Sequence, residues 1–312
     1  MYERCAGSLR PFHCYIGLQT STDGVHFTPA SDQPLITPAD LGSQYGSVQD
    51  PRVVALDGRF YLSVAYRPYA WASQPTGVGV PESCQVAYPG FSGRDEDNQT
   101  RSGLFVSDDL RHWTWHGWVT PEGIDDRNVM LFPERIGGKY WITRRPSGFG
   151  GTQANHAAPP KGVMVSTSDD LLTWTEPTTL LRPAFAWEDN RMGASTPPIR
   201  TPDGWLFFYH GVQNLNPATR RVCYRMGAAL LDLENPLNVI ARSPAPLLEP
   251  TTYDERFGLY IPDVVFSTAS PVVEGVNHLY YGVCDTAIAL ATAPLAAVIE
   301  EVKRHPRDGG LN

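Results

Sequence analysis

The sequence predicts an all-β fold, a five-bladed β-propeller with an incomplete first blade and a C-terminal helix. Three observations lead to this prediction: a composition rich in turn-forming and aromatic residues, a recurring Ser-Asp turn, and a recurring hairpin. The chain of 312 residues contains 28 Gly, 28 Pro, 14 Tyr, 12 Phe and 8 Trp. Such a composition is typical of many strands joined by many turns. Repeats spaced by tens of residues are typical of propellers.

The Ser-Asp turn occurs three times, at residues 21–27, 107–113 and 168–174. Each copy follows an apolar stretch and ends on an aromatic residue, Phe27, Trp113 or Trp174, which opens the next predicted strand. A polar turn between two apolar stretches predicts a hairpin. The three copies therefore predict three similar strand pairs.

The second repeat is a glycine turn followed by a strand. Its glycines, Gly58, Gly138, Gly204 and Gly275, are 80, 66 and 71 residues apart. Four blades are therefore complete, and because the first Ser-Asp turn precedes all four, a fifth and incomplete blade begins the chain. We expect residues 1–4 to end its inner strand and an opening strand to be absent before Met1. A β-sandwich is the alternative, but the long spacing makes it the weaker one.

Three other segments complete the single catalytic domain predicted over residues 1–312. Residues 68–101 and 147–161, the latter with His156, are rich in Gly, Pro or Ser and are expected to be long loops. Residues 294–305 predict a helix, since their apolar residues recur on one face.

Composition also excludes several classes of protein. A formal net charge of −8 argues against a nucleic-acid partner. No run of eighteen apolar residues occurs, so no membrane partner is expected, and no signal peptide is visible at Met1. The five cysteines are scattered and form no CxxC pair, which indicates neither a metal site nor a disulfide framework. A cytoplasmic location is therefore expected.

The candidate catalytic acid is Asp50, in the stretch Gln49-Asp-Pro-Arg-Val53. Because a residue before proline is pushed towards an extended conformation, we expect the backbone to fix the direction of this carboxylate. An acid held in this way at the entry to a hairpin is typical of an active site. The alternative is that Asp50 only caps a turn.

Basic residues also recur at the ends of predicted strands or at the entries to them. They are Arg127, Arg145, Arg191 and His210. In a propeller such positions on successive blades converge on the central channel. Converging arginines would make an anion site, because the guanidinium group is a rigid fork of donors. Taken singly, each arginine could be a surface charge and His210 a hydrogen-bonded core residue.

Beyond these patterns, the chain resembles glycoside hydrolase family 130, the five-bladed propeller family of β-mannoside phosphorylases and related β-mannosidases. The resemblance extends in order from about residue 15 to the C-terminal helix. The matching stretches are residues 49–53, 127–140, 145–146, 191–194, 197–199, 203–206, 209–212, 224, 227–234, 261–262 and 280–286.

The resemblance implies an inverting phosphorolysis of a β-mannoside that gives α-mannose 1-phosphate. Asp50 matches the proton donor, and the proton is expected to pass through a sugar hydroxyl. The phosphate-binding set implied by the family comprises Arg127, Arg145, Arg191, His210 and Tyr224. The mannosyl unit would be held by Arg4, Arg52, Asn128 and Asp285. No cofactor or metal is expected; inorganic phosphate is the co-substrate and a carbohydrate the substrate. Homo-oligomers are common in the family.

The resemblance also leaves alternatives open. An inverting β-mannosidase would use water and would need a second carboxylate, for which Glu134, Glu188 and Asp189 are the candidates. A non-catalytic sugar-binding propeller is the other alternative, suggested by the incomplete first blade. Asp263 stands where relatives often have asparagine, and the two long loops differ from those of better-known members. Linkage and acceptor sugar are therefore not predicted.

Overall fold

The computed structural model describes residues 2–5, 8–11, 14–69, 98–147, 162–216, 218, 221–257 and 261–307. Of residues 2–5, 8–11 and 147 it describes only the backbone. Most of the two predicted loops, residues 70–97 and 148–161 with His156, lies outside this part of the chain. The chain forms two compact units, of which the first comprises residues 1–51, 57–127 and 146–157 and the second the remaining residues.

The described chain is built from antiparallel strands arranged in six sheets. The two small sheets pair β1 (Tyr2–Cys5) with β2 (Ser8–Pro11), and β3 (Gln19–Thr20) with β4 (Thr28–Pro29). A four-stranded sheet has the order β5 (Ser47–Leu56), β6 (Arg59–Arg67), β7 (Arg101–Ser107) and β8 (Thr114–Trp118). The next contains β9 (Asp125–Arg127), β10 (Tyr140–Ser147), β11 (Val163–Ser168) and β12 (Thr178–Leu181).

Two further sheets belong to the second unit. One contains β13 (Arg191–Ala194), β14 (Ile199–Thr201), β15 (Gly204–Asn216), β16 (Arg221–Leu231) and β17 (Val239–Arg242). The other contains β18 (Val265–Ala269), β19 (Val272–Val273), β20 (Val276–Val283) and β21 (Ala287–Pro294). The helices are α1 (Tyr253–Phe257) and α2 (Leu295–Lys303). Neither described helix is long and apolar enough to cross a membrane.

These consecutive antiparallel sheets are the blades of a β-propeller, which confirms the predicted fold class. The blade count differs slightly from the prediction. Four sheets have four or five strands, and in the described part of the chain β3 and β4 are all that represents the first blade. The expectation that residues 1–4 form an inner strand of that blade is wrong, because β1 pairs with β2 in a separate hairpin.

The Ser-Asp turns are confirmed as equivalent structures. In the copy that joins β7 to β8, Ser107 Oγ accepts hydrogen bonds from the backbone N–H groups of Asp109 and Leu110, at 3.1 and 2.9 Å. Asp109 Oδ1 accepts two more, from residues 111 and 112. The other two copies repeat this pattern. Leu110, Leu171 and Gly24 occupy the same position with φ of 63°, 65° and 73°.

β15 is the central strand of the second unit and is buried on both faces, which explains its nearly continuous apolar sequence. Trp205, Phe207 and Tyr209 face one core cluster, which includes residues of β10–β12. Leu206 and Phe208 face the other, which includes residues of β18, β20 and α2. Successive side chains of a strand point to opposite faces, so one strand supports two cores. His210, in the second half of this strand, is also fully buried.

The C-terminal helix is confirmed, with its apolar face packed on the second cluster through Ile299 and Val302. The first unit has a separate core, formed mainly by Ile36, Val48, Leu62, Val64 and Phe105. Burial of such side chains contributes about 2 kcal/mol each, so the three clusters are the main source of stability.

Candidate active site

His210 is the most deeply buried polar residue predicted for the site. It lies on β15, directly opposite Gly193 of β13 and Met226 of β16, and has no solvent exposure. Its Nδ1 atom lies 3.1 Å from Ser195 Oγ. Its Nε2 atom is buried and has no hydrogen-bond partner among the described residues.

The positive charges of three arginines of the second unit act on this imidazole. Burial is the largest cause that lowers the pKa of His210 well below its ordinary value, and the charges of Arg145, Arg52 and Arg191 lower it further. His210 is therefore neutral at pH 7. A neutral imidazole carries one donor and one acceptor, so only its protonated nitrogen can donate a hydrogen bond to a charged phosphate oxygen.

Each of the three arginines lies on a β-strand. Arg52, on β5, is buried and donates from Nε to the carbonyl oxygen of Ser195 at 2.7 Å. Its guanidinium carbon lies 5.7 Å from the centroid of the Phe266 ring. Arg145, near the end of β10, is also buried. Arg191, the first residue of β13, donates to the hydroxyl of Tyr224.

Tyr224, on β16, contacts both Arg191 and His210. Its ring stacks on the imidazole of His210, with centroids 6.0 Å apart and an interplanar angle of 26°. Phe266 contacts the same imidazole, at a centroid distance of 4.8 Å. An aromatic lining excludes water and strengthens the electrostatic interactions of the basic groups.

Asn128 belongs to the same part of the second unit. It has a φ of 57°, and its carbonyl oxygen accepts a hydrogen bond from Thr143 Oγ1 at 2.7 Å. Its Oδ1 atom is buried without a hydrogen-bond partner in the described residues. A β-carbon added to Gly193 would lie 2.5 Å from this oxygen and 2.8 Å from His210 Nε2. Both polar atoms therefore border the same space above Gly193.

Asp285 lies in the exposed turn between β20 and β21, with a φ of 51°. Backbone hydrogen bonds tie this turn to Tyr224. Cys284 donates to the carbonyl of Val264 at 3.2 Å, and Tyr224 donates to the carbonyl of Asp263 at 2.9 Å. Asp263 itself is buried and accepts from Arg221 Nη2 at 2.8 Å. The role of Asp285 in sugar binding stays a prediction.

Asp50 and Arg127 belong to the first unit. Asp50 lies half-buried on β5, two residues before Arg52, with a φ of 57°. The expectation that Pro51 forces it into an extended conformation is therefore wrong. Positive φ in a non-glycine residue is uncommon and is often found at functional sites. Asn128 and Asp285 share this property, so three of the predicted site residues have positive φ.

Arg127, on β9, is held by a buried carboxylate. Asp125 Oδ1 and Oδ2 both accept from Arg127 Nη2 at 2.7 Å, and Oδ2 also accepts from Arg67 Nη2 at 3.4 Å. Burial of Asp125 opposes its ionisation, but the charges of Arg127 and Arg67 outweigh this effect and lower its pKa below the ordinary value. The aspartate therefore orients Arg127. The side chain of Arg4, on β1, lies outside the described residues.

The candidate bases for a hydrolase all have structural partners. Glu188 is fully buried. It accepts hydrogen bonds from Arg242 Nη2 at 2.5 Å and from the Tyr209 hydroxyl at 3.0 Å. It also accepts hydrogen bonds from the backbone N–H groups of residues 184 and 185. Asp189 is exposed and accepts the backbone N–H of residue 214. Glu134 forms a half-exposed ion pair with Arg200 at 3.2 Å.

Sequence reasoning missed several residues that build this site. The sequence patterns do not single out Asp125, Ser195 or Phe266, and Gly193 lies in a matching stretch to which they assign no role. The glycine could have been found, since a small residue in a strand often marks a close approach. Nothing in the local sequence indicates the contact between Ser195 and His210, because it depends on the pairing of β13 with β15.

Together, the second unit presents three guanidinium groups, a neutral imidazole and a tyrosine hydroxyl around one buried region. Such a set of donors suits a small, highly charged oxyanion. Asn128 adds an amide that can bind a sugar hydroxyl.

Comparison with known proteins agrees with this chemistry. The model of glycoside hydrolase family 130, described as beta-1,4-mannooligosaccharide phosphorylase, matches residues 91–304. A 1,2-beta-oligomannan phosphorylase of Thermoanaerobacter sp. (strain X514) is 33% identical over 277 residues, which cover 88% of this chain and 77% of that protein. A beta-1,4-mannooligosaccharide phosphorylase of Ruminococcus albus is 29% identical over 299 residues, covering 91% and 75%.

Among solved structures, the beta-1,2-mannobiose phosphorylase from Listeria innocua, in complex with beta-1,2-mannobiose, has a TM-score of 0.71 and 27% sequence identity. The similarity covers 93% of this chain and 70% of that one. The family match spans more than half of the sequence and the relatives cover most of it. The chain therefore belongs to glycoside hydrolase family 130.

Proposed function

We infer that the protein catalyses the inverting phosphorolysis of a β-mannoside by inorganic phosphate, with α-mannose 1-phosphate as one product. The relatives named above are phosphorylases of β-linked mannosides. Manno-oligosaccharides and mannosyl-glucose are the substrate classes we expect.

The observation that carries this proposal is the basic cluster in the second unit. Arg52, Arg145 and Arg191 act together on the buried His210. Guanidinium groups gathered in one buried region suit a small oxyanion, because each presents a rigid fork of charged donors. Phosphate is such an anion and is also the nucleophile that the reaction needs.

The candidate second carboxylates of this unit give less support to hydrolysis. An inverting glycosidase needs a second carboxylate that activates water. Glu188 is sequestered by Arg242 and Tyr209, and Glu134 pairs with Arg200 near the surface. Both oxygens of Glu188 therefore accept hydrogen bonds in a fully buried position, and Asp189 accepts the backbone N–H of residue 214.

In the proposed reaction, Asp50 supplies the proton, through a sugar hydroxyl, to the glycosidic oxygen. A phosphate oxygen attacks the anomeric carbon from the opposite face, and the electrons of the broken C–O bond go to the leaving oxygen. Phosphate is assigned to Arg127, Arg145, Arg191, His210 and Tyr224. The mannosyl unit is assigned to Arg4, Arg52, Asn128 and Asp285. The scattered cysteines favour a cytoplasmic enzyme.

The experiment is phosphate-dependent release of mannose 1-phosphate from a panel of β-1,2-, β-1,3- and β-1,4-linked mannosides. The expected product requires phosphate and is lost in Asp50→Asn, which keeps the size of the side chain but not its acidity. Free mannose formed at the same rate with and without phosphate would establish a β-mannosidase instead. Binding of mannose by folded protein, without turnover of any substrate in the panel, would favour the non-catalytic alternative.

A further inference from the structure

Ser195 connects two of the basic residues of the site. It directly follows β13, has no solvent exposure, and donates its backbone N–H to the carbonyl of Phe208 at 3.1 Å. Its carbonyl oxygen accepts from Arg52 Nε at 2.7 Å, and its hydroxyl lies 3.1 Å from His210 Nδ1. One buried residue therefore contacts both Arg52 and His210.

The hydroxyl of Ser195 has two possible hydrogen-bond arrangements. Its other neighbour is the sulfur of Met226, at 3.6 Å. If the hydroxyl donates to sulfur, Nδ1 of His210 carries the imidazole proton and Nε2 is a bare acceptor. If the hydroxyl donates to Nδ1, the proton is on Nε2 and this nitrogen becomes a donor.

Both arrangements keep the hydrogen bond between Ser195 and His210, and they differ in what Nε2 offers. The first adds only a contact to a thioether sulfur, a weak acceptor, whereas the second provides an Nε2–H donor for a charged phosphate oxygen. The position of Nε2 matters, because it is buried, lacks a hydrogen-bond partner among the described residues, and borders the space above Gly193. A bare lone pair at this position would repel a charged, unprotonated phosphate oxygen, whereas an N–H group would bind it.

We propose that Ser195 is a positioning residue that donates its hydroxyl to His210 Nδ1 and thereby keeps a proton on Nε2, directed at phosphate. The identity of the anion rests on the proposed function. The low pKa of His210 agrees with a requirement for tautomer control, since a neutral imidazole has only one proton to place. Ser195 also anchors Arg52 through its carbonyl, which a change of side chain leaves in place.

The test compares Ser195→Ala with the wild-type protein by two measurements. Nitrogen-15 NMR of histidine-labelled protein, with and without inorganic phosphate, reports which ring nitrogen of His210 is protonated; a His210→Gln sample identifies the signals. We expect Nε2–H in the wild type and a shift towards Nδ1–H in Ser195→Ala. We also expect the KM for phosphate to rise by about tenfold, while the KM for the mannoside changes by less than about twofold.

The matched control is Ser243→Ala. Ser243 is an equally buried serine of the same unit, but its hydroxyl bonds to the backbone carbonyl of Ala228, at 3.4 Å. We expect both KM values and the His210 signals to be unchanged in this variant. If Ser195→Ala does not fold, Ser195→Cys offers a weak donor of similar size, with an intermediate KM for phosphate as the expected result.

Two outcomes would overturn the proposal. One is an unchanged tautomer of His210 in Ser195→Ala. The other is an equal rise of both KM values, which indicates general damage to the fold. The NMR measurement does not need turnover. If the wild type proves indifferent to phosphate in the rate assay, the proposed function fails, while the histidine signals still decide the role of Ser195.

Discussion

Gly193 lies directly against the imidazole of His210. The two residues are opposite each other in the β13–β15 pair, and a β-carbon on Gly193 would lie 2.7 Å from His210 Cε1 and 2.8 Å from Nε2. Real β-carbons do not approach non-bonded atoms so closely, because these distances are much shorter than the 3.4–4 Å of ordinary van der Waals contact. Only glycine at position 193 lets the imidazole and the amide of Asn128 occupy their present positions.

Gly193→Ala is therefore expected to lower kcat/KM by about a hundredfold or more. The new methyl group must displace His210 or Asn128, and a shift of about 1 Å in a site residue costs a factor of this size. The measurement is phosphorolysis at saturating mannoside and varied phosphate, together with the thermal midpoint of unfolding.

Gly17→Ala is the control, since no heavy atom of the described residues, apart from its two chain neighbours, lies within 4 Å of a β-carbon at that position. Its activity should equal that of the wild type. A Gly193→Ala enzyme with wild-type kinetics would contradict the placement of His210 and Asn128 described above.

The local regularities of the fold were predictable from sequence. The three Ser-Asp turns obey one hydrogen-bond pattern that depends on residues within six positions, so their sequences predict it. β15 could be recognised because burial on both faces selects apolar residues at nearly every position. The helix over Leu295–Lys303 follows from its one apolar face.

The conformation of the site was not predictable in the same way. Asp50, Asn128 and Asp285 have positive φ. This backbone conformation is strained and must be stabilised by tertiary packing. At Asp50 the following proline predicts an extended conformation instead. Ser195 meets His210 only through the pairing of distant strands. Such contacts depend on the register between strands, which no short stretch of sequence specifies.

Glu188 provides a test of the hydrolase alternative. Its carboxylate pairs with Arg242 at 2.5 Å in a fully buried position. Glu188→Gln removes the negative charge and leaves the buried guanidinium uncompensated. We expect a loss of about 3 kcal/mol or more in the free energy of unfolding, measured in urea. Activity assayed well below the melting temperature should be largely retained.

Glu134→Gln is the comparison for that variant, because Glu134 pairs with Arg200 where both side chains are about half exposed. An exposed ion pair is worth little, so the expected change in stability is under about 1 kcal/mol. Loss of turnover in stable protein carrying either substitution would instead identify that glutamate as catalytic.

Glu255 makes stability depend on acid pH. Burial of this carboxyl opposes its ionisation, but backbone N–H groups of Thr252 and Thr251 and the Tyr281 hydroxyl, at 2.8 Å, outweigh the effect and lower its pKa to about 2. Because the pKa in the folded state is lower than in the unfolded state, the stabilisation is complete above the unfolded value. It is lost as pH falls from about 4.5 towards 2.

Tyr281→Phe should therefore cost about 2 kcal/mol at pH 7, the usual value of a hydrogen bond to a charged group. The difference from wild type should narrow as pH falls below about 4.5. Urea unfolding between neutral pH and about pH 3 measures it. Tyr253→Phe, in an exposed side chain, should show no difference; a Tyr281→Phe deficit that persists undiminished at acid pH would contradict the assignment.

His210 gives a second pH dependence, in a higher range. Its folded-state pKa lies well below the ordinary value of 6.5, chiefly because of burial and then because of Arg145, Arg52 and Arg191. Below about pH 6.5 the unfolded chain binds a proton at this residue while the folded protein does not. Lower pH therefore favours unfolding, by up to about 1.4 kcal/mol per pH unit.

The expected result is a steeper loss of stability in the wild type than in His210→Gln as pH falls from about 7 to 5. Glutamine cannot take up the proton, so the difference between the two unfolding free energies isolates this one histidine from the other seven of the eight in the chain. Urea unfolding at three pH values in this range is sufficient. Parallel curves for the two proteins would mean that His210 titrates normally, and would contradict the buried imidazole beside Arg145, Arg52 and Arg191 on which the proposed phosphate site depends.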